Sequence, residues 1–365
     1  MTGLPDTISQ QPGVTRMDTH CHSCASNAPV IAAAGLIGAP ECYSEPEQVY
    51  EQARARGMDL VTLTDHDSIA GVMSLIERGF EGVIAGEEIT THFAQDRCKM
   101  HVLCWGMTPE LHEEVADLGL RDDIELLARW FKDRDLPHAV AHPLYMQNGR
   151  LTRWHIERCA LLFRGFEMLN GAHQASHEGA LERFLTGLNR ETIDALAARH
   201  ELEPVWAETW NKARTAGSDD HGLLNVGRTW TEIDTADEPG GKLTDPSEFM
   251  RRAMLGQSRT GGVGGHSALL AHQLSTVGAH YYAREGLDRT TPTGRMVAHK
   301  LLRFAGVKVD PPSKHRLAAY MAFRKLFRRN KKSFPLVTAL REHLGPILES
   351  YPELRERLDP DRWPT

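Results

Sequence analysis

The stretch Ser44 to Gly71 reads SEPEQVYEQARARGMDLVTLTDHDSIAG. Pro46 stands near its start and Gly57 falls just after Arg56, the usual punctuation of a helix over Pro46 to Arg56. An apolar run, Leu60 to Asp65, follows at once, and its length suits a strand. Asp67 or Ser68 then stands where a cap would open a further helix over Ile69 to Arg78. Helix, short strand and helix in that order make a repeat unit of a β/α protein.

The same alternation continues outward in both directions. Expected strands are Arg16 to His22, Gly82 to Thr90, Met100 to Trp105, Ala139 to Ala141, Gly165 to Leu169 and Arg214 to Ser218. Asp122 to Asp133 and Glu178 to Arg199 are further expected helices. About seven β/α units in succession predict a barrel rather than an open sheet. Thr235 to Leu243 reads as a loop, and a short helix follows over Pro246 to Leu255. Gly261-Gly262-Val263-Gly264-Gly265 reads as a boundary. The expected division is a flexible lead-in over residues 1–14, a barrel domain over 15–265 and a helical, basic C-terminal extension over 266–365. In that extension His266 to Glu285 and Met296 to Phe304 are helical in pattern. Lys314 to Lys332 is strongly basic, with Leu317, Tyr320, Met321 and Phe327 interleaved. It reads first as an amphipathic helix packed on the barrel. Contact with an acidic protein, a membrane surface or nucleic acid is the alternative.

With 365 residues, 41% apolar and 25% charged, the chain is of the soluble globular kind, and its core needs no disulfide staples. A net charge of −7 gives no overall attraction to nucleic acid or to an anionic membrane. No apolar run nears the roughly 20 residues that span a bilayer. The start, MTGLPDTISQQPGVTR, lacks the basic and apolar segments of a secretory leader. Cys21, Cys24, Cys42, Cys98, Cys104 and Cys159 form no disulfide framework, so the expected compartment is the cytoplasm. Cys21 and Cys24 make a lone C-x-x-C, with neither a second pair nor a thioredoxin-like context to make it a redox site.

Nineteen histidines are many for this length, and their placement carries the functional reading. His20-Cys21-His22, Asp65-His66, Glu87-Glu88, His142 and Asp219-Asp220-His221 fall at the C-terminal end of an expected strand or just beyond it, while His101 opens the run HVLCWG. Loops at that end of a barrel converge on one mouth. His20 and His22, two apart on a strand, point the same way. Imidazole is the commonest ligand for zinc, iron and related ions. Glu87 and Glu88, adjacent at a buried strand end, would repel one another unless a cation sat there. Packing accounts for any one of these groups. Their recurrence at successive strand ends predicts a polynuclear metal site.

The order H-x-H, D-H, a later Glu, His, His-Pro and S-D-x-H resembles the PHP (polymerase and histidinol phosphatase) family of metal-dependent phosphoesterases, over roughly Thr15 to Gly265. SEPEQVYEQARARGMDLVTLTDHDSIAG and AGSDDHG make it most similar to the glycosyltransferase-associated members. The resemblance implies a distorted (β/α)7, TIM-like barrel and two or three divalent cations, with zinc, iron or manganese equally suited. It implies one cation on His20, His22, Glu88 and Asp219, a second on Glu88, His101 and His142, and a third on His66 and His221. The family's Gly-x-Glu register, set here by Gly86, selects Glu88 over Glu87 as the bridge. Many members carry Asp five residues after the second His of H-x-H. This chain has Asn27, which puts the third position in question and offers Asp65 as a substitute donor.

Cations a few ångströms apart lower the pKa of a bridging water and neutralise phosphoryl oxygens. The expected reaction is therefore hydrolysis of a small-molecule or nucleotide phosphate ester, mono- or diester, with Glu88 bridging. His66, His221 or a bound water would protonate the leaving oxygen. Arg97, Lys99, Arg150, Arg153 and Arg228 are candidate phosphate clamps, though each reads first as a solvated surface charge. Glu167 and Asn170 in FEMLNG are candidates to support the ligands or to touch substrate. His173, a lone loop histidine, is not expected to point inward. Three rivals remain. An amidohydrolase commonly needs a metal-bridging lysine, whereas Lys132 sits in a helical stretch. An exonuclease acting on nucleic-acid ends is disfavoured by the acidic balance. A non-catalytic module would use the metals structurally.

Overall fold

The computed structural model describes residues 12–26, 42–173 and 178–265. Asn27 and the whole extension over 266–365, with its three expected helices, lie outside the described residues.

Seven strands follow in chain order: β1 (Val14–Asp18), β2 (Leu60–Leu63), β3 (Val83–His92), β4 (Lys99–Trp105), β5 (His138–Val140), β6 (Gly165–Asn170) and β7 (Ala213–Gly217). Sequence neighbours are also sheet neighbours. β1, β2 and β3 pair in parallel, as do β5, β6 and β7. β4 runs antiparallel to both β3 and β5. A bridge between Cys21 and Asp220 brings the end of β7 back beside the end of β1, so the sheet is nearly closed.

Two further strands were not legible, β8 (Thr229–Asp234) and β9 (Ser258–Gly262). β8 lies antiparallel along β1, and β9 along β8. They wedge against β7 where Ala216 N donates to Thr231 Oγ1 at 2.8 Å and Ser258 Oγ donates to Arg214 O at 2.6 Å. The fold is thus mixed α/β with nine strands among the described residues, and not a run of seven parallel β/α units. Gly261 and Gly262, read above as part of a boundary, belong to β9.

The helices are α1 (Pro46–Ala55), α2 (Ala70–Glu77), α3 (Pro109–Asp117), α4 (Ile124–Asp133), α5 (Arg153–Leu162), α6 (Glu178–Thr186), α7 (Arg190–His200) and α8 (Pro246–Met254). The single helix expected over Glu178 to Arg199 is two. Asn189 accepts from Thr192 N and caps α7, so its side chain ends one helix by starting the next. Asp67 does not cap α2. It accepts from Thr90 N at 2.9 Å, while Ser68 Oγ accepts from Ala70 N. No helix among the described residues is long and apolar enough to cross a membrane.

Strand alternation sorts the core into two layers. Met17, Leu60, Ile84, Leu103, Trp105, Ala213 and Ile233 meet Phe249 and Met250 of α8 in one cluster and fill the barrel. Val61, Leu63, Ala85, Ile89, Val102, Cys104 and Val140 face the other way, onto the outer helices. β7 approaches β1 closely enough for Thr19 Oγ1 to donate to Ala216 O at 3.0 Å. Gly217 permits this, because a Cβ there would fall on the Cβ and backbone nitrogen of His20.

Some of the histidine excess is packing. His138 donates through Nδ1 to Leu136 O at 2.8 Å, accepts at Nε2 from Arg164 N at 3.1 Å, and stacks on Phe131. Burial pushes it down to about 4. His155 bonds Thr152 at the start of α5 and Asp96 at 3.1 Å.

Two predictions follow from this frame. Gly217→Ala should cost about 1–3 kcal/mol through overpacking. Gly179→Ala in α6 should be neutral or gain up to about 1 kcal/mol, since an added Cβ would meet only the flexible end of Arg183 at 3.5 Å. Urea denaturation of both variants measures the contrast. The second concerns His138, which stays neutral in the fold to about pH 4 but protonates near pH 6.5 when unfolded. The unfolded chain therefore holds the extra proton between those values. The associated stability is present above pH 6.5 and lost as pH falls through that window, up to about 3 kcal/mol in all. His138→Phe should flatten the acid limb of the stability curve. Wild-type and variant curves that run parallel would refute this.

Candidate metal centre

Glu88 sits on the interior face of β3 and is fully buried. Its Oε1 lies 2.8 Å from His101 Nδ1 and 3.0 Å from His142 Nε2. Its Oε2 lies 2.9 Å from His20 Nε2, 3.2 Å from His22 Nε2 and 3.4 Å from His66 Nδ1. His20 and His22 follow β1, His66 follows β2, His142 follows β5, and Asp219 and His221 follow β7. His101 instead lies near the start of β4. Because β4 is antiparallel to β3, with Thr90 paired to His101, its beginning stands at the same mouth. A histidine that opens an apolar run and histidines that close one thus reach a single point.

Asp219 completes the cluster. Its Oδ1 is 3.5 Å from His20 Nε2, 3.3 Å from His22 Nε2 and 3.7 Å from His221 Nδ1. Asp219 has φ 49° and His142 φ 28°, a region disfavoured for residues with a side chain. Such strain, about 1–3 kcal/mol each, clusters at functional sites.

The donor set fits a cation. His20 Nε2 and His22 Nε2 are 3.2 Å apart, and two imidazole nitrogens that close need a proton or a cation between them. His20, His22, Glu88 and Asp219 offer ligand atoms within 4.8 Å of one another. His66–Glu88–His101, His22–His66–His221 and His142–His173–Asp219 meet the same criterion. His22 Nδ1 and His101 Nε2 are buried without a hydrogen-bond partner. The grouping departs from the one the resemblance implied: His66 joins Glu88 and His101, and His142 also stands with His173 and Asp219.

Burial alone would raise Glu88 and Asp219, but the surrounding imidazoles outweigh it and hold both carboxyls well below the usual range. Burial would lower His20, yet Glu167, Asp219 and Glu88 hold it well above its ordinary value. Burial pushes His101 down to about 3.

Behind the cluster, Glu167 Oε1 is 2.9 Å from His20 Nδ1. Its Oε2 accepts from His142 N at 2.7 Å and from Asn170 Nδ2 at 2.8 Å. Asn170 Nδ2 also reaches Asp219 Oδ2 at 3.2 Å. Of the roles offered for Glu167 and Asn170, the contacts favour orienting His20, His142 and Asp219. Asp18, absent from the sequence reading, accepts from Ser218 N at 2.9 Å and Gly227 N at 2.8 Å, tying the Asp219 loop to β1. Burial raises it to about 6.

Other expected residues stand elsewhere. Asp65 is in none of the donor groups: its oxygens accept from Ser23 N at 2.5 Å and Ser23 Oγ at 2.7 Å, which shapes the loop carrying His22. Glu87 faces away from the cluster, because neighbours on a strand point to opposite sides. It meets His112 Nδ1 at 2.8 Å and Arg121 Nη2 at 3.5 Å, so the repulsion argument fails. Asp220 accepts from Gly222 N and Asn225 N within its own loop. Arg97 pairs with Asp122 at 2.9 Å, Arg150 bonds Asp96 O and Arg153 pairs with Glu157 at 2.6 Å. The backbone nitrogens of Lys99 and Arg228 bond Asn148 Oδ1 and Asn225 O. The side chains of Arg97, Arg150 and Arg153 are thus each engaged by a neighbouring acceptor. His173, discounted in sequence, points inward with Nε2 3.3 Å from Asp219 Oδ2. Gln147 Nε2 lies 3.4 Å from His101 Nδ1, and no sequence signal marked it.

No family model and no curated protein matches the chain. Among solved structures, an amidohydrolase from Chromobacterium violaceum is 18% identical with a TM-score of 0.34, covering 56% of this chain and 87% of that one. A protein from Bifidobacterium adolescentis described provisionally as a metal-dependent phosphoesterase is 18% identical with a TM-score of 0.37, covering 69% and 98%. PsfC from Pseudomonas syringae is 16% identical with a TM-score of 0.40, covering 73% and 98%. Likenesses this slight carry nothing about activity.

Two buried glutamates, one behind the cluster and one facing away from it, give a direct test. Glu167→Gln should weaken metal binding about 10- to 100-fold, by replacing the anionic carboxylate that orients His20 and His142 with a neutral amide that has one acceptor oxygen. Glu87→Gln should leave it unchanged. Competition against a chelator measures both, and equal effects would refute the assignment.

Proposed function

We propose that the cluster holds two or three divalent cations, zinc, iron or manganese, and that the protein hydrolyses a phosphate ester of a small molecule or nucleotide. The observation that carries this is the convergence of five imidazoles on the two oxygens of Glu88, with Asp219 across from His20 and His22. Those residues are also the ones whose order resembles the PHP phosphoesterases.

Bound there, the cations would neutralise phosphoryl oxygens and lower the pKa of a nearby water. The chain's own groups supply the rest. Glu88 offers one oxygen to His101 and His142 and the other to His20, His22 and His66, so it would help hold cations on both sides. Glu167 and Asn170 hold His20 and Asp219 in place. Leu103, Trp105 and Met17 are fully buried in one apolar cluster inside the barrel. His66 and His221 stack on His22 at 4.8 and 4.2 Å. Their side chains are 7% and 12% exposed, at the boundary between cluster and solvent. There they can pass a proton to the leaving oxygen.

A lysine-bridged amidohydrolase centre has little support. Lys212 Nζ donates to Ala160 O and Phe163 O, Lys242 to Val14 O and Asp59, and Lys132 is exposed on α4.

Metal analysis of anaerobically purified protein, run beside a phosphate-ester panel, is the test. The expected result is two or three cations per chain and aryl phosphate hydrolysis that chelation abolishes without unfolding the protein. Full metal content with no activity on any phosphate would favour a binding module. Faster cleavage of single-stranded oligonucleotides than of small phosphates would favour an exonuclease.

A further inference from the structure

We infer that His173 is a cation ligand, and that Asp219 serves two cation positions through its two oxygens, Oδ1 with His20 and His22 and Oδ2 with His142 and His173. The inference rests on the metal-centre reading above and deepens it.

The ligand atoms of His142, His173 and Asp219 lie within 4.8 Å of one another. His173 Nε2 is 3.3 Å from Asp219 Oδ2, and its ring centroid is 4.8 Å from that of His142. The loop after β6 is built to hold this orientation. Asn170 Oδ1 accepts from both Ala172 N and His173 N, which turns the loop inward. Tyr145 then stacks on the His173 ring at 3.9 Å and stands edge-on to His142 at 5.7 Å. The His173 side chain is 20% exposed, so it faces the open side of the cluster rather than an apolar core.

A hydrogen bond from His173 to Asp219 would account for one contact only. Asp219 Oδ2 already accepts from Asn170 Nδ2 at 3.2 Å, and a donor to Asp219 has no need of a second imidazole beside it. His142 is that second imidazole. Its Nε2 is 3.0 Å from Glu88 Oε1, so its ring stands between Glu88 and the His173–Asp219 pair. His142 and Asp219 are also the two members of this group with a positive φ, at 28° and 49°, as is common at ligand sites. Two imidazoles and one carboxylate suit a borderline-soft divalent ion such as zinc, cobalt or iron(II) over magnesium or calcium.

The test is cobalt(II) titration of the metal-stripped, full-length chain, followed by calorimetry and visible absorption, in wild type, His173→Ala and His173→Gln. Glutamine can still donate to Asp219 but is a poor ligand, so it separates a ligand from a residue that only positions. Both variants should lose one cobalt equivalent, or bind one class at least about tenfold more weakly, while the class on His20 and His22 keeps its affinity. Thermal denaturation of the stripped chains checks that each variant folds. Wild-type stoichiometry and affinity in both variants would overturn the inference and leave the metal centre standing. Wild-type binding in His173→Gln alone would overturn the ligand role in favour of positioning. A wild-type chain that takes up no cobalt would instead bring down the metal-centre reading itself.

Discussion

A carboxylate without water must be neutralised by its surroundings, and Glu88 is the carboxylate on which this mouth of the barrel is organised. Leaving one isolated charge buried costs many kcal/mol, far more than a domain's net stability can absorb. Five imidazoles answer it, delivered from the ends or beginnings of β1, β2, β4 and β5. Each strand therefore has to end at the right height. The nearly closed sheet sets those heights, and the glycine contact between β7 and β1 sets the closure. Without a cation, the same cluster can be neutral only by holding protons on histidines such as His20. Metal binding must displace them, which couples loading to pH and to folding.

Strand direction and strand parity do the selecting. Ile84 and Glu88 face the barrel while Ala85, Glu87 and Ile89 face the helices, so one of two adjacent glutamates joins the cluster and the other meets Arg121 and His112. His101, Leu103 and Trp105 share one face of β4, so one strand supplies a ligand at the mouth and two side chains of the apolar cluster inside the barrel. The reversal of β4 is what brings that ligand to the mouth at all.

Most of the first seven strands were legible because they are apolar runs closed or opened by His, Asp or Glu, a local signal. Resemblance in the order of those polar groups pointed to residues that the fold does bring together. Other features depend on partners distant in sequence. β8 and β9 read TWTEID and SRTGG, too polar to show as core strands, and they form because β1 leaves an edge for β8 and β8 in turn leaves one for β9. The direction of β4 is not written in its own residues. Asp65 looked like a donor because it neighbours His66, but Ser23 claims both its oxygens. His173 looked like an ordinary loop histidine because its inward turn depends on Asn170 and Tyr145.

The supporting layer exposes one more constraint. Glu167 and Asn170 are three apart on β6, so an unbroken strand would send them to opposite faces. Both nevertheless reach the same cluster, and Asn170 Nδ2 donates to Glu167 Oε2 at 2.8 Å. The pairing of β6 with β7 shifts register between Glu167 and Leu169, and such an irregularity re-aims the side chains that follow it. It sets Asn170 between Glu167 and Asp219, linking the side chains that hold His20 and His142 to the loop after β7. A one-residue slip in a strand that contributes no residue to any of the donor groups thus accompanies the placement of the side chains that hold the ligands from behind.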